Sequence, residues 1–312
     1  MNILVLGGTS FVGRAIVEDL LARGHTPALF SRGKTNADLF PDVDRRVGDR
    51  DSGDYGALAE GSWDATVDVS AYVPRHVAQA GDAIGERGGR HLFISTGSVY
   101  DRTQAGDGLT EDTPRLPAER STEVIDGDTY GPLKVACEDD VLSRYGDRAT
   151  IVRPGIVAGP YDPTDRFTYW ARRLRRGGRV AVPGRLDQPV QVVDSRDLAR
   201  LVTLLLEGDT SGTYNAVGPA EPVTLGSLVT ALNAEAEPVQ VAARPGFPLV
   251  LPDTSWDVMF RRSRAAADAV GMPATPLEQT ARDVLAWDTE RGLPPLATDL
   301  TPEQEAELLA SS

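Results

Sequence analysis

Hydrophobic and polar positions switch between two periods along the first half of the chain. Residues 2–8 read NILVLGG, a short apolar run that predicts a buried strand and then a turn. Val12, Ile16 and Leu20 recur every four residues, as on one face of a helix, and Gly24 lies where that helix is expected to end. The alternation continues through TPALFSR, WDATVDVSAY, HVAQAGDAIGER, RHLFISTGSVY, YGPLKVACEDDVLSRYG and RATIVRPGIV.

Strands that alternate with helices indicate right-handed strand–helix–strand units, and therefore a parallel sheet covered by helices on both faces. The run RHLFISTGSVY is apolar at consecutive positions, which is typical of a buried parallel strand. The expected fold class is therefore α/β, with a doubly wound parallel sheet.

The pattern changes after about residue 155, where proline and glycine become frequent. PVQVVDS, RDLARLVTLLLEG and GTYNAVG then predict a strand, a helix and a strand, and we expect the sheet to resume there. The predicted domains are a sheet domain of residues 1–155 plus about 188–220, and a smaller C-terminal lobe of about 156–187 plus 221–312. TLGSLVTALNAEA, TPLEQTARDVLAWDTER and TPEQEAELLA are expected helices of that lobe, the last after a capping-box sequence.

Residues 102–129 show little periodicity and lie between a buried strand and the YGPLK helix. A loop of this length inside a compact domain is usually functional or mobile. A surface insertion without a function is the alternative, and the sequence favours neither.

Composition narrows the classes of protein to consider. The chain has 312 residues, of which 41% are hydrophobic, and no apolar run reaches the roughly 18–20 residues that a membrane helix needs. The first apolar run is short and has no basic leader, so we expect no secretory signal. Cys137 is the only cysteine, which excludes an internal disulfide and fits a reducing compartment. We therefore expect a cytoplasmic protein that has no membrane partner.

The charge balance is acidic, with 46 acidic and 32 basic residues and a net charge of −14. Such a chain repels polyanions such as RNA and DNA unless a basic patch outweighs the net charge. The densest basic stretch, residues 172–179, would distribute its arginines around a helix, which predicts a solvated helix. No nucleic-acid partner is expected.

A glycine-rich turn, VLGGTSFVG, places Gly7, Gly8 and Gly13 between the first strand and the first helix. Such a turn brings backbone N–H groups and the positive end of a helix to a diphosphate, because glycine lets the backbone approach closely. Its position before further strand–helix units favours a dinucleotide site. A tight turn that binds no ligand is the alternative.

The end of the second strand bears on which dinucleotide is bound. Enzymes that use NAD usually carry an acidic residue there to hold the ribose hydroxyls. This chain has Ser31 and Arg32 instead, and a guanidinium pairs well with the additional phosphate of NADP. We therefore predict NADP as the cofactor, with NAD less favoured; for Arg32 an exposed loop arginine is the alternative.

Four motifs, GGTSFVG, STGSVY, YGPLK and RPGIVAGP, together resemble the extended short-chain dehydrogenase/reductase superfamily, often labelled NAD-dependent epimerase/dehydratase. The resemblance covers about residues 1–220 and implies a Rossmann fold. It also implies that Tyr130 and Lys134 are catalytic, the lysine holding the nicotinamide ribose and the tyrosine exchanging a proton with the substrate. Thr96 is the implied third catalytic residue, which hydrogen-bonds the reacting carbonyl oxygen, and its serine neighbours are competing candidates.

Physical chemistry supports the implied pair. Residues four apart share a helix face, and an ammonium beside a phenol favours the phenolate, so we expect Lys134 to lower the pKa of Tyr130 from about 10. Pro132 is tolerated in the first turn of a helix, which predicts that this helix begins near Tyr130. A surface pair, and for Thr96 a cap at a strand end, are the alternatives.

The resemblance implies further cofactor contacts. Asp49 stands at the family's adenine contact, Ala71 and Tyr72 end the fourth strand on the nicotinamide side, and RPGIVAGP corresponds to a segment that passes the nicotinamide amide. Plain packing of strand ends is the alternative. The implied cofactor site comprises Gly7, Thr9, Ser10, Phe11, Val12, Gly13, Ser31, Arg32, Asp49, Ala71, Tyr72, Ser95, Lys134, Pro154 and Ile156.

The chain departs from the family pattern at three places. Ser10 replaces the middle glycine of the turn, and the sequence leaves open whether it contacts the diphosphate. Gly97 and Ser98 stand where sugar-nucleotide 4,6-dehydratases carry an Asp-Glu pair, so that dehydration is not expected. Ile156 and Ala158 replace an asparagine and a tyrosine of sugar-nucleotide enzymes, which weakens the case for a nucleotide-sugar substrate.

Aromatic residues and arginines of the lobe are candidates for binding a small-molecule substrate that is apolar or bears a ring. Packing within the lobe, or a subunit contact, is the alternative for most of them. They are Arg166, Phe167, Tyr169, Trp170, Trp256, Phe260 and Arg261.

Other chemistries find little support. His25, His76 and His91 are far apart and show no metal-ligand spacing, so we expect no metal site. Cys137 has no histidine at helical spacing and is expected to be a buried small apolar residue. The nucleophile-elbow sequence G-x-S-x-G does not occur.

The predicted function is an NADP-dependent oxidoreductase that transfers a hydride between nicotinamide and a ketone or alcohol carbon of a small molecule. An epimerase acting on a sugar or sugar nucleotide, with the cofactor retained, is the first alternative. A non-catalytic nucleotide- or RNA-binding relative is the second, against which the net charge and the intact Tyr-Lys-Thr set both argue. By analogy with the superfamily, a homodimer is expected.

Overall fold

A seven-stranded parallel sheet forms the centre of the computed structural model, which describes residues 1–244 and 246–311. The strands, in chain order, are Asn2–Leu6 (β1), Thr26–Ser31 (β2), Asp44–Val47 (β3), Ala65–Asp68 (β4), Arg90–Ile94 (β5), Ala149–Pro154 (β6), Ile156–Ala158 (β7), Gly178–Val182 (β8), Pro189–Val190 (β9), Val192–Asp194 (β10), Gly212–Ala216 (β11), Val223–Thr224 (β12) and Ala236–Gln240 (β13). The main sheet has the order β11-β6-β5-β4-β1-β2-β3, with every neighbouring pair parallel. The predicted doubly wound α/β class is confirmed.

Helices cover both faces of this sheet. In chain order, the helices of the described chain are Phe11–Ala22 (α1), Pro74–Ile84 (α2), Tyr130–Tyr145 (α3), Arg166–Leu174 (α4), Ser195–Glu207 (α5), Leu225–Leu232 (α6), Ala265–Ala269 (α7), Leu277–Glu290 (α8) and Pro302–Ala310 (α9), of which α4, α6 and α8 pack in the C-terminal lobe. In β1, Ile3 and Val5 pack into the cluster that includes α1 and α5, whereas Leu4 and Leu6 pack into the cluster that includes α2. Alternate residues of one strand thus meet opposite helical layers, as a strand covered on both faces requires.

A second hydrophobic core lies in the C-terminal lobe. It contains Trp170 of α4, Val180 of β8, Leu228 of α6 and Val284 of α8. The sequence pattern led us to expect that the segment PVQVVDS rejoins the main sheet, and this prediction is wrong. Its two short strands β9 and β10 pair instead with β12 and β7, while β11 alone returns to the main sheet beside β6.

The prediction of a solvated arginine helix at residues 172–179 is partly wrong. Helix α4 ends at Leu174. Arg172 pairs with Asp288 at 2.7 Å, and the buried Arg173 pairs with Glu305 at 2.6 Å. These ion pairs join α4 to α8 and α9, so the basic stretch holds the lobe together.

Two helix starts agree with the local sequence. Helix α3 begins at Tyr130, as Pro132 predicted, and α9 follows a capping box formed by Thr301 and Gln304. Within residues 1–244 and 246–311, no helix is both long and apolar enough to span a membrane.

The aperiodic segment 102–129 is tied to the body of the protein at several points. Arg115 donates hydrogen bonds to Glu138 and Asp139 of α3, at 3.0 and 2.8 Å. Leu109 is buried and forms a β-bridge with Arg262, far along the chain. This segment therefore connects α3 to the C-terminal lobe, beside the cavity described next.

Candidate active site

A cavity of about 890 Å³ lies where the carboxyl ends of β1, β2, β4, β5 and β6 meet the C-terminal lobe. This is where doubly wound sheets bind ligands, and the volume is in the range of small-molecule sites. The structure brings all but one of the predicted site residues to its wall: Gly7, Thr9, Ser10, Phe11, Val12, Gly13, Ser31, Arg32, Asp49, Tyr72, Ser95, Thr96, Tyr130, Lys134, Pro154 and Ile156.

The glycine-rich turn lies at one end of this cavity. Gly7 and Gly8 have positive φ angles of 98° and 132°, which L side chains rarely adopt. A Cβ atom on Gly13 would lie 2.7 Å from the backbone nitrogen of Gly8, so only glycine lets α1 start this close to the turn. The first turn of α1 carries no acidic side chain, and Ser10, its N-cap residue, makes no side-chain cap hydrogen bond. The positive end of the helix therefore faces the cavity without a competing carboxylate.

Lys134 lies in the floor of the cavity, only 2% exposed. Its Nζ donates hydrogen bonds to the carbonyl oxygens of Ala71 and Ile94, both at 2.8 Å, and lies 4.0 Å from the centre of the Phe93 ring. Burial lowers the pKa of Lys134 to about 8. The ammonium is thus held at the ends of β4 and β5 and loses its charge more easily than a surface lysine.

Tyr130 lies one turn before Lys134 on α3, beside Thr96. The expectation that Lys134 lowers the Tyr130 pKa is wrong for this structure: burial raises the pKa of Tyr130, and a polar interaction with the Thr96 hydroxyl offsets only part of the rise. The Lys134 ammonium donates hydrogen bonds to two backbone carbonyls and does not offset the effect of burial on the phenol. Tyr130 therefore carries its proton at neutral pH.

Thr96 combines a wall position with a local structural role. Its Oγ1 accepts a hydrogen bond from the backbone nitrogen of Ser98 at 3.1 Å and caps the short helix Gly97–Val99. The alternative of a strand-end cap is therefore real, and it coexists with a place beside Tyr130. Ser95 is buried in the same wall, and no described residue hydrogen-bonds its hydroxyl.

Ala71 is the predicted residue that the cavity wall does not include. It is fully buried, and only its carbonyl oxygen acts on the site, through the hydrogen bond from Lys134. Its neighbour Tyr72 is 44% exposed and lies in the wall. The prediction that Ala71 and Tyr72 end the fourth strand is wrong, because β4 ends at Asp68 and both residues lie in the loop that follows it.

The end of β2 borders the opposite end of the cavity from Tyr130. Arg32 is 54% exposed, and its nearest partner is Asp51, at 3.8 Å. Asp49 also lines the wall and accepts a hydrogen bond from the backbone nitrogen of Asp51 at 3.0 Å. The Arg32 guanidinium is therefore accessible and only weakly paired.

A buried ion pair beneath this end was not foreseen from the sequence. Arg50 donates from two nitrogens to the Asp68 carboxylate, at 2.8 and 2.6 Å, and also to the Ser70 hydroxyl. Burial favours the neutral form of Asp68, but the Arg50 guanidinium outweighs burial and lowers the pKa of that carboxyl. Because Asp68 also accepts hydrogen bonds from the backbone nitrogens of Ser70 and Ala71, the pair fixes the loop after β4.

The substrate side of the cavity comes partly from the lobe. Arg166, Trp256 and Phe260 line the wall, as expected of substrate candidates, and Leu251 and Met259 join them. Three other candidates, Phe167, Tyr169 and Trp170, belong instead to the second core. Packing within the lobe, the alternative interpretation, is therefore correct for those three.

The last candidate, Arg261, is exposed and lies outside the cavity wall. Its neighbour Arg262 is buried and does line the wall. Sequence analysis missed Arg262, since two adjacent arginines give no signal as to which of them turns inward.

Of the remaining polar candidates, His25, His91 and Cys137 lie outside the cavity wall. His91 is buried and stacks on Tyr145, with ring centres 4.2 Å apart. Cys137 is buried in the hydrophobic cluster that contains Tyr145, as expected of a small apolar residue. His25 lies near Glu207, and His76 lines the cavity near Asp51. No group of three or more potential metal ligands occurs within the described part of the chain.

Comparisons with known proteins agree with this geometry. A family model described as "NAD dependent epimerase/dehydratase family" matches residues 3–217. A Synechocystis sp. protein named "Putative dihydroflavonol 4-reductase" is 24% identical over 334 aligned positions, covering 92% of this chain and 94% of that protein. The chloroplast stem-loop binding protein of 41 kDa b from Arabidopsis thaliana is 25% identical over 215 residues, covering 64% of this chain. The match spans only about half, 53%, of the Arabidopsis protein.

Among solved structures, the Bordetella bronchiseptica enzyme WbmH, in complex with NAD+, superposes with a TM-score of 0.67. The two chains are 21% identical, and the match covers 93% of this chain and 99% of WbmH. At this level of identity the likeness shows a shared fold.

Proposed function

Since the chain belongs to the NAD-dependent epimerase/dehydratase family, we propose that it is an NADP-dependent oxidoreductase acting on a ketone or alcohol carbon of a small molecule. One observation carries the proposal: Thr96, Tyr130 and Lys134 lie in the wall of the same cavity as the glycine turn and Arg32. The candidate catalytic residues and the candidate cofactor residues thus line one cavity, which supports the proposal.

The residues present fit a nicotinamide dinucleotide. The diphosphate would lie at the start of α1, where Gly13 permits the close approach and no carboxylate competes. Arg32 would pair with the ribose phosphate of NADP, since its ion pair with Asp51, at 3.8 Å, is weak and exposed. Lys134 would hold the nicotinamide ribose. When bound, the dinucleotide supplies or accepts the hydride.

The protein side of the reaction follows from the protonation states. Tyr130 keeps its proton at neutral pH, so it can donate that proton to the oxygen of a substrate carbonyl as the alcohol forms. The Thr96 hydroxyl would hold the same oxygen and fix its distance from the phenol. Lys134 remains charged below about pH 8, and its ammonium would hold the nicotinamide ribose in place beside the phenol. A protonated phenol is the form that the reduction of a carbonyl requires.

A matched assay separates this proposal from an epimerase. A reductase oxidises NADPH in proportion to the ketone added, and the absorbance of the reduced nicotinamide falls. An epimerase returns the hydride and leaves that absorbance unchanged. We expect net oxidation with a panel of small aldehydes and ketones; stereochemical inversion of a sugar or sugar nucleotide without net oxidation would favour the epimerase.

RNA binding is not proposed, although one relative is named a stem-loop binding protein. The net charge of −14 opposes it, and Arg172 and Arg173 of α4 are paired with acidic groups of α8 and α9. Salt-sensitive retention of a stem-loop RNA by the purified protein would contradict this view.

A further inference from the structure

Four arginines of the described chain are buried, and one differs from the others. Arg50, Arg153 and Arg173 each pair with a carboxylate, at 2.6 or 2.7 Å. Arg262 is 7% exposed, yet no described residue pairs with its guanidinium or accepts a hydrogen bond from it. The Phe260 ring, 5.8 Å away, is its one close aromatic contact. A buried cation without an anion is costly, so its presence calls for a reason other than stability.

The backbone around Arg262 holds this side chain in place. The Gln191 side chain accepts a hydrogen bond from the Arg262 backbone nitrogen at 3.0 Å and donates one to its carbonyl oxygen at 2.9 Å. Leu109 pairs with the same segment on the other side, through hydrogen bonds of 3.1 and 2.7 Å to Arg261 and Ser263. The arginine is therefore positioned from two sides.

The guanidinium lies directly beside the proposed catalytic residues. Its Nη1 is 1.4 Å from the position that a Cβ atom on Gly97 would occupy, and Nη2 is 3.8 Å from the corresponding position on Gly155. Gly97 follows Thr96 in the chain, and Gly155 follows Pro154. Any side chain larger than glycine at residue 97 would displace the guanidinium.

We propose that Arg262 binds a carboxylate of the substrate, so that the enzyme acts on an oxo acid or the matching hydroxy acid. The guanidinium fork matches the two oxygens of a carboxylate, and its place next to Thr96 sets the carboxylate close to the reacting carbonyl. Trp256, Met259 and Phe260 line the same part of the cavity, so the rest of the substrate is apolar or aromatic. This inference rests on the proposed oxidoreductase function for its chemical step.

Burial supports the assignment. It lowers the pKa of Arg262 to about 10, and the Tyr100 phenol offsets part of this. An incoming anion would offset the energetic cost of burying the Arg262 charge, as the carboxylates already do for the other three arginines. The site thus selects against neutral ligands of the same shape, which leave the cation unpaired.

The test measures binding to the protein loaded with oxidised NADP, which cannot reduce the ligands, by calorimetry, using benzoylformate and its neutral analogue acetophenone. We expect benzoylformate to bind at least about 10-fold more tightly than acetophenone. Arg262→Met should remove this difference, and Arg262→Lys should retain part of it. Arg261→Met, which changes an exposed arginine outside the cavity wall, is the matched control and should behave like the wild type. Phenylphosphonate serves as a third ligand, and tighter binding of it than of benzoylformate would overturn the choice of a carboxylate.

A second readout separates ligand binding from a structural role. If Arg262 serves binding, Arg262→Met should keep or raise the melting temperature of the ligand-free protein, because it removes an unpaired buried charge. A fall in melting temperature together with unchanged benzoylformate affinity would overturn the proposal. Gly97→Ala should weaken benzoylformate binding as Arg262→Met does, since its methyl group takes the place of the guanidinium.

Failure here is distinguishable from failure of the proposed function. Reduction of acetophenone and benzoylformate with equal efficiency, unaffected by Arg262→Met, would leave an oxidoreductase and overturn the carboxylate site. Arg262-dependent binding of benzoylformate without any NADPH oxidation would keep the anion site and contradict the oxidoreductase.

Discussion

Lys134 donates a 2.8 Å hydrogen bond from its ammonium to the carbonyl oxygen of Ala71, which ties α3 to the end of β4. The pKa of Tyr130, one turn earlier on α3, is nevertheless raised. The ammonium is directed towards the ends of the strands, and burial of the phenol decides its protonation. Tyr130 is therefore a protonated phenol one helical turn from a buried cation.

The pH dependence of reduction should report Lys134. Its pKa is about 8 in the free protein, so the ammonium is present below that pH and is lost above it. Since kcat/KM reflects the free enzyme, we expect kcat/KM for the reduction of benzoylformate by NADPH to fall as pH rises through about 8. Lys134→Arg keeps the charge and should show a lower but flat profile there. The same fall in both proteins would assign the ionisation to another group.

Cofactor choice should depend on Arg32. Arg32→Asp places a carboxylate where the ribose phosphate of NADP is proposed to bind, and it should reverse the preference from NADPH to NADH. The ratio of the two dissociation constants, measured by fluorescence titration, gives the answer. Arg175→Asp makes the same change of charge at an exposed site outside the cavity and should leave the ratio unchanged. An unaltered NADPH affinity in Arg32→Asp would refute the assignment.

The buried pair beneath the cavity should matter for stability. Asp68→Asn leaves the Arg50 guanidinium buried without its anion, and we expect a loss of about 3–5 kcal/mol in the free energy of unfolding. Asp44→Asn breaks an exposed pair with Arg46 and should cost at most about 1 kcal/mol. Urea denaturation of the wild type and the two variants gives the three free energies of unfolding to be compared. Similar losses for the two variants would show that the buried pair is not special.

His91 should make the protein sensitive to acid. Burial lowers its pKa to about 4, whereas the unfolded chain titrates near 6.5. Between these values the unfolded state binds a proton that the folded state excludes, so stability falls as pH decreases from about 6.5 to 4. His91→Phe keeps the stacking on Tyr145 and should lose less stability over that range in thermal denaturation. Parallel curves for both proteins would exclude His91 as the cause.

Local sequence patterns were sufficient to predict much of the fold and the part of the candidate site formed by the glycine turn and helix α3. The spacing of Val12, Ile16 and Leu20 placed α1, and Pro132 placed the start of α3 at Tyr130. The glycine turn and the Tyr130–Lys134 pair are local patterns whose backbone geometry follows from a few neighbouring residues.

The rest depends on contacts between distant parts of the chain. Strands β9 and β10 pair with β12 and β7, outside the main sheet. Strands of two or three residues are too short for their own sequence pattern to show with which strand they pair. The pairing of Arg50 with Asp68, and the approach of Arg262 to Gly97, arise only once the sheet and the lobe are assembled. Such long-range pairs are the part of the site that a single sequence does not predict.

The central claim is that Tyr130 gives its proton to a carbonyl oxygen beside bound NADP. The most direct measurement is NADPH oxidation with a panel of small ketones and oxo acids, comparing the wild type with Tyr130→Phe. We predict stoichiometric oxidation by the wild type and a rate at least about 100-fold lower in the variant, at unchanged NADPH affinity. Equal rates in the two proteins, or no binding of NADPH by the wild type, would contradict the account.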